Sequence, residues 1–269
     1  MTGTDRRGAL AVILARAGSK GLPNKNALPV AGRPCIAWTI DHALAAAGVA
    51  TVALSTDGPQ LAEIARAVGV PVVHRPPDLA GDAVTVDAAA RHAVLALESG
   101  GAGGLSRRIA VPDAGAVVVL YGNVPVRPQG LIDRAVEMLL RTGCDSVQSY
   151  APVGKHHPWW TARLDATTGR VHPWEGGALN HGVFRRQDLP PAYIPDGGVI
   201  AVTRRALFCE IDGVPDGPHR FFGLDRRGVL NREGSVVDID SRIDLLVADA
   251  LLREQQACAQ ARPAMEGAR

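Results

Sequence analysis

No Cys-x-x-Cys pair, no apolar run of membrane-spanning length and no surplus of one charge occur in this 269-residue chain, and each absence narrows what it can do. Four scattered cysteines, Cys35, Cys144, Cys209 and Cys258, argue against a disulfide framework or a structural zinc site and imply reduced cytosolic thiols. No stretch of roughly 18 apolar residues is present, and the segment before residue 9 is too short for a secretory leader, so a soluble, cytoplasmic protein with no membrane partner is expected. With 29 basic and 27 acidic residues the net charge is +2, which supplies no broad positive field for nucleic acid. Any anion site must therefore be local. The Walker A pattern Gly-x4-Gly-Lys-Ser/Thr and the dinucleotide fingerprint Gly-x-Gly-x-x-Gly are also missing, as is any internal repeat.

What is present is an α/β pattern. Residues 9–15 form a continuous apolar run, suited to a strand buried on both faces. Pro34 opens a helix whose Ile36, Ile40 and Leu44 recur at helical spacing up to Gly48. Strands follow near 50–55, 71–74, 116–121, 145–150 and 198–203, with helices near 59–68, 84–98 and 128–142 between them. Strand and helix alternate, which predicts a doubly wound, mainly parallel sheet. The Gly-rich Ser99–Gly115 segment is expected to be a mobile surface loop. From Ala151 to Pro195 the alternation fails, so residues 151–195 are read as an insertion in one domain spanning residues 1–269. A strand at 236–240 and a helix near 241–260 complete the core, and the tail from Arg262 is expected to fray.

The loop Arg16-Ala-Gly-Ser-Lys-Gly-Leu-Pro-Asn-Lys-Asn26 follows the first strand. Its glycines can turn backbone N–H groups toward phosphate while Arg16, Lys20 and Lys25 supply countercharge. The same spacing also suits an ordinary basic surface loop. Asp238 and Asp240 lie two apart on an extended segment and so share a face, which invites a hard cation; an exposed pair at a helix start, with Asp240 as N-cap, is the alternative.

The run Leu-Ala-Arg-Ala-Gly-Ser-Lys-Gly-Leu-Pro-x-Lys-Asn resembles the opening signature of the CMP-sialic acid synthetase (acylneuraminate cytidylyltransferase) family, which is related to the CMP-3-deoxy-octulosonate synthetases. Ser55-Thr-Asp57, Arg75-Pro-Pro-Asp-Leu-Ala80, His156-His-Pro158, Arg185-Arg-Gln-Asp-Leu-Pro-Pro191 and Asp238-Ile-Asp240 fall in that family's order. The resemblance thus covers residues 9 to about 250. It implies a Rossmann-like nucleotidyltransferase that joins CMP from CTP to an acidic sugar. Arg16, Ser19, Lys20 and Lys25 are implied as phosphate contacts, Asn26 and Arg75 as cytosine readers, and Thr85 as a further nucleotide contact. Asp238 and Asp240 are implied to hold Mg²⁺, acting in catalysis with Arg16 and Lys25. The resemblance further implies a homodimer in which the segment opened by His156-His-Pro158 crosses to the partner and Arg186 grips the sugar carboxylate. Trp159 and Trp160 are read as packing.

The chain departs from the family on the acceptor side. Where the family commonly has Leu-Leu-Gln-Pro-Thr-Ser-Pro-Leu-Arg, this sequence has Val119-Leu-Tyr-Gly-Asn-Val-Pro-Val-Arg127, so Tyr121, Asn123 and Arg127 become the candidate acceptor residues. Pro-Asn-Gly-Ala-Ile-Tyr is here Pro195-Asp-Gly-Gly-Val-Ile200, without the phenol. A Ser or Thr common in the family is Val86, although Thr85 stands beside it. A phosphate or phosphonate acceptor gripped by Arg127 and Arg186, and a silent nucleotide-binding member, remain the rival expectations.

Overall fold

The computed structural model describes residues 8–18, 21–100 and 115–266. Ser19, Lys20 and most of the expected 99–115 loop lie outside the described residues. In chain order the elements are β1 (Ala9–Leu14), β2 (Pro29–Val30), β3 (Arg33–Pro34), α1 (Cys35–Ala45), β4 (Val49–Thr56), α2 (Pro59–Ala67), β5 (Val72–His74), α3 (Val86–Ser99), β6 (Ala116–Tyr121), α4 (Leu131–Thr142), β7 (Ser146–Pro152), β8 (Ala162–Leu164), β9 (Val171–Pro173), β10 (Tyr193–Thr203), α5 (Arg204–Leu207), β11 (Arg226–Leu230) and α6 (Arg242–Glu266).

Seven strands form one sheet in the order β11-β7-β10-β6-β1-β4-β5. β1 pairs in parallel with β4 and β6, β4 with β5, and β7 with β11, while β10 runs antiparallel to both of its neighbours. β1 lies in the interior of the sheet between β6 and β4 and is buried at every residue, which is why it reads as an unbroken apolar run. Its alternate residues serve two cores. Ala9, Ala11 and Ile13 pack with Ile36, Ile40, Leu61 and Leu139 from α1, α2 and α4, whereas Leu10, Val12 and Leu14 meet Ala90, Val94 and Leu97 of α3 with Phe221 and Phe222. A third cluster seats α6, through Ala248 and Leu252, on Val30, Val126 and Ile239.

Two expectations are corrected. The strand expected at 236–240 is an extended segment with a single bridge, Val126 to Val237, because it lies beside the 123–126 turn and off the sheet. The helix expected to end near 260, with fraying from Arg262, continues to Glu266. β11, an exposed edge strand whose only buried residue is Val229, has too little apolar alternation to be read from sequence.

The chain between β7 and β10, where an insertion was expected, hangs on a ribbon. Beyond the sheet, Tyr193 and Ile194 of β10 keep pairing with Pro152 and Ala151 of β7, and the chain between them forms the β8–β9 hairpin and short 3-10 turns. His157 is buried and functions as a local clasp: its Nδ1 accepts from the Trp159 N–H at 3.1 Å and its Nε2 lies 3.0 Å from the Pro190 carbonyl oxygen. His156 is exposed. Trp159 stacks on His181 at 4.6 Å, and Trp160 Nε1 donates to the Val183 carbonyl at 3.0 Å.

Candidate active site

The carboxyl ends of β1, β4, β5 and β6 open onto one crevice, the position at which open α/β sheets bind ligands. The loop after β1 is tied down on three sides. Ala17 N–H donates to Asp57 Oδ1 at 2.9 Å, Arg16 forms an ion pair with Asp82, and Asn26 Nδ2 donates to the Arg16 carbonyl at 3.0 Å. Lys25 Nζ reaches Asp240 Oδ1 at 2.5 Å across 215 positions of sequence, which closes the cationic loop over the carboxylate pair. A Cβ on Gly21 would stand 3.0 Å from the Asp240 carbonyl oxygen, so the two segments are also in close backbone approach.

Asp238 and Asp240 project to one side of their segment while Ile239 is buried in the core between them. Ser241, rather than Asp240, is the residue at the helix cap: Asp244 Oδ2 accepts from Ser241 N–H at 2.7 Å and Asp240 N–H at 3.1 Å, and Ser241 Oγ lies 3.4 Å from the Asp244 N–H. This reciprocal arrangement is a capping box, and it leaves the Asp240 carboxylate to Lys25. Burial pushes the Asp238 carboxyl up to about 6, with Asp240 adding to the rise and Lys25 and Arg127 opposing it. Among the described residues no group of three His, Cys, Asp or Glu is placed to hold a metal. Two hard carboxylates with a mutual excess of negative charge fit Mg²⁺, which keeps several waters and is held through one or two carboxylates and substrate phosphates.

Arg75 is buried, and its Nε and Nη2 donate to Ser55 Oγ at 3.2 Å and the Ser55 carbonyl at 2.9 Å. Desolvation lowers its guanidinium below the usual range, with Asp57 opposing and Arg16 assisting, so the three groups are electrostatic neighbours. Arg75 walls a cavity of about 720 Å³ together with Asp57, His74, Pro77, Gly81 and His92. Thr85 sits exposed at the start of α3 with no capping bond from its side chain. Asn26 does not line that cavity. Its Oδ1 is buried without a partner and abuts Gly122, where a Cβ would come within 2.9 Å of it.

The turn after β6, where the acceptor residues were expected, folds over Asp238. Asn123 Nδ2 bonds Asp238 Oδ1 and, at 3.2 Å, the Ile239 carbonyl. A Cβ on Gly197 would lie 3.6 Å from Asp238 Oδ2 and 4.0 Å from Tyr121 Cδ2, so both segments that depart from the resembled pattern meet at this carboxylate. Burial, then Asp238, raises the Tyr121 phenol above its ordinary value. Asp196 itself is held from below, by Ser149 Oγ and by Asn231 Nδ2 at 2.7 Å.

Arg127 is not offered to a ligand. Only 4% exposed, it donates from Nε to the Gly198 carbonyl at 2.7 Å, from Nη1 to Thr39 Oγ1 at 2.8 Å and to the Val124 carbonyl, and from Nη2 to the Tyr121 carbonyl at 3.0 Å. Burial lowers it to about 10, still charged at neutral pH. The guanidinium satisfies carbonyls that the turn leaves unpaired inside the protein, which makes it part of the scaffold. Arg186 lies on the insertion in an ion pair with Glu233, and none of its described contacts is with the crevice. Sequence reasoning missed Thr39, Asp57 and Cys35 as supports. Cys35 Sγ lies 3.6 Å from the Gly122 carbonyl oxygen, and burial pushes its thiol up to about 12, which removes it as a nucleophile.

A mainly parallel sheet with a cationic loop after its first strand, closed onto a carboxylate pair, defines a Rossmann-like nucleotidyltransferase fold. The same fold occurs in CMP:2-keto-3-deoxy-manno-octonic acid synthetase solved with CTP, at a TM-score of 0.64 and 18% identity, over 92% of this chain and 99% of that one. The chain belongs to the cytidylyltransferase family, whose model matches residues 10–168. It is 31% identical to an N-acylneuraminate cytidylyltransferase of Streptococcus agalactiae over 203 residues, 75% of this chain but 45% of that protein. It therefore spans about half the length of the curated relatives of this kind. A CMP-N,N'-diacetyllegionaminic acid synthase of Legionella pneumophila matches at 30% over 250 residues, 92% of this chain and 97% of the relative. No helix among the described residues is long and apolar enough to cross a membrane.

Proposed function

We propose that this chain transfers CMP from CTP to the anomeric hydroxyl of a sialic-acid-like 3-deoxy-2-ulosonic acid. The observation that carries this reading is the Lys25–Asp240 contact of 2.5 Å, which brings the phosphate loop and the carboxylate pair into one site. The sugar hydroxyl attacks the α-phosphorus of CTP, the bond from that phosphorus to the bridging oxygen of the β-phosphate breaks, pyrophosphate leaves and the hydroxyl proton passes to water. Arg16 and Lys25, with Ser19 and Lys20 of the same loop, hold the triphosphate, and their charge offsets the negative charge that grows in the transition state. Arg75 reads the cytosine through its cavity, with Thr85 at the helix start and Asn26 holding the loop closed. Asp238 and Asp240 would hold Mg²⁺, which when bound neutralises triphosphate charge and orients it.

Tyr121 and Asn123 face the acceptor. With Arg127 turned inward, the carboxylate of the sugar acid lacks a cation from that position, and we assign Arg186 of a second subunit to it. The insertion supports a homodimer: it carries Phe184 at 84% and Leu164 at 68% exposure on a ribbon that leaves the sheet. Loss of Arg127 also removes half of the anion pocket that a phosphate or phosphonate acceptor would require. A catalytically silent member would not need an intact loop and carboxylate pair.

Pyrophosphate release with CTP, Mg²⁺ and a panel of 3-deoxy-2-ulosonic acids, with ATP, GTP and UTP as controls, tests the reading. Turnover with CTP and one acid supports it and names the acceptor. Tight CTP binding with no pyrophosphate release from any acid would sink it.

A further inference from the structure

We propose that His92 is a second base-reading residue, lining the same cavity as Arg75 and donating to the acceptor edge of the cytosine ring. This rests on the cytidylyltransferase reading above. The cavity of about 720 Å³ between the ends of β4 and β5, the 76–81 loop and the middle of α3 is walled by both residues, and its size suits a base with part of its ribose. Arg75 spends Nε and Nη2 on Ser55; neither bond engages Nη1.

His92 reaches the same cavity from α3. Its Nδ1 is buried with no hydrogen-bond partner, a feature the phosphate and metal chemistry does not explain. A buried N–H without an acceptor is the rarer and costlier orphan, so the favoured neutral tautomer leaves Nδ1 bare and puts the proton on Nε2. The ring then offers the cavity a donor. Two donors, from Arg75 and His92, call for two adjacent acceptors. Cytosine has them at N3 and O2, whereas uracil carries a hydrogen on N3 that would meet a donor head-on. A site built this way both holds CTP and rejects UTP, because the wrong base leaves buried donors unpaired.

The test is calorimetric titration of CTP and UTP, without acceptor, into the wild-type chain and into the Arg75→Ala, His92→Phe and His92→Gln variants, with thermal melts alongside. His92→Phe, which keeps the volume but loses the donor, is expected to weaken CTP about tenfold while leaving UTP little changed, and His92→Gln to recover part of the loss. A wild-type CTP-to-UTP preference in His92→Phe overturns the assignment; if Arg75→Ala still weakens CTP, the cytidylyltransferase reading survives it. Failure of the wild-type chain to bind CTP overturns both. Should His92→Phe not fold, nitrogen NMR of the wild-type imidazole decides. Protonation at Nε2 with a shift on adding CTP supports the role, and an imidazole untouched by saturating CTP ends it.

Discussion

At the scale of single residues, charge was easier to find than to aim. Arg127 and Lys25 look alike in sequence, as basic residues after apolar strands, yet one is spent on backbone carbonyls and the other meets a carboxylate. Arg127→Lys keeps the charge but loses the planar fork that reaches Gly198, Thr39, Val124 and Tyr121. It is expected to cost on the order of 2 kcal/mol in urea unfolding, with the acceptor KM unchanged in the folded fraction; a large rise in acceptor KM at full stability would return Arg127 to the pocket. Asp240→Asn removes a charge from the carboxylate pair and from Lys25. Turnover should fall at least about tenfold and its Mg²⁺ dependence should move to higher concentration, and unchanged metal dependence would remove Asp240 from the site. The pair and the loop were legible because they are short patterns of unusual charge. Thr39 was not, because a lone threonine on an apolar helix face carries no sign that its hydroxyl will meet the Tyr121, Gly122 and Val124 carbonyls and the Arg127 guanidinium.

At the scale of elements, what positions the carboxylates is the start of α6. Ser241 and Asp244 cap it, and Asp240 is the residue before the cap. Ser241→Ala should lower stability by about 1 kcal/mol and weaken Mg²⁺ activation as the segment loosens, measured by denaturant midpoint and metal titration on the same preparation; a stability loss with metal response intact would uncouple the cap from the site. The capping box is a sequence pattern, Ser-x-x-Asp, but Asp240 beside it competed for the same assignment. Only the direction of the backbone entering the helix separates them. The core strands and helices were readable for a simpler reason, since burial on one or both faces imposes a period on the residues themselves. β11 obeys no such period because it lies at the sheet edge.

For the whole molecule, stability should depend on pH through His42. Burial, then the Arg127 charge, lowers its imidazole from 6.5 to about 4, against a bond to the Pro125 carbonyl and the charge of Asp41. The unfolded chain therefore takes up the proton first as pH falls. The contribution is present above pH 6.5 and lost as pH falls toward 4, up to about 3 kcal/mol. Unfolding free energies at pH 7, 5.5 and 4.5 should fall more steeply for the wild-type chain than for His42→Gln, and parallel slopes would refute the assignment. Sedimentation provides the other global check: a homodimer is expected, and a monomer with full activity would contradict a cross-subunit Arg186.

Sequence alone determined the alternating strands and helices, a first strand buried on both faces, the cationic loop, the carboxylate pair and the point after β7 where the alternation fails. These follow from local periodicity and from residue types that chemistry rarely places together by accident. Tertiary structure decided which long side chains are spent on backbone carbonyls and which meet the carboxylate pair. Arg127 turned inward because the turn after β6 and the register shift between Pro195 and Ile200 leave buried carbonyls in need of donors, and Lys25 points to the carboxylate pair because the segment entering α6 brings Asp240 to it. Neither demand is written near the residue that answers it.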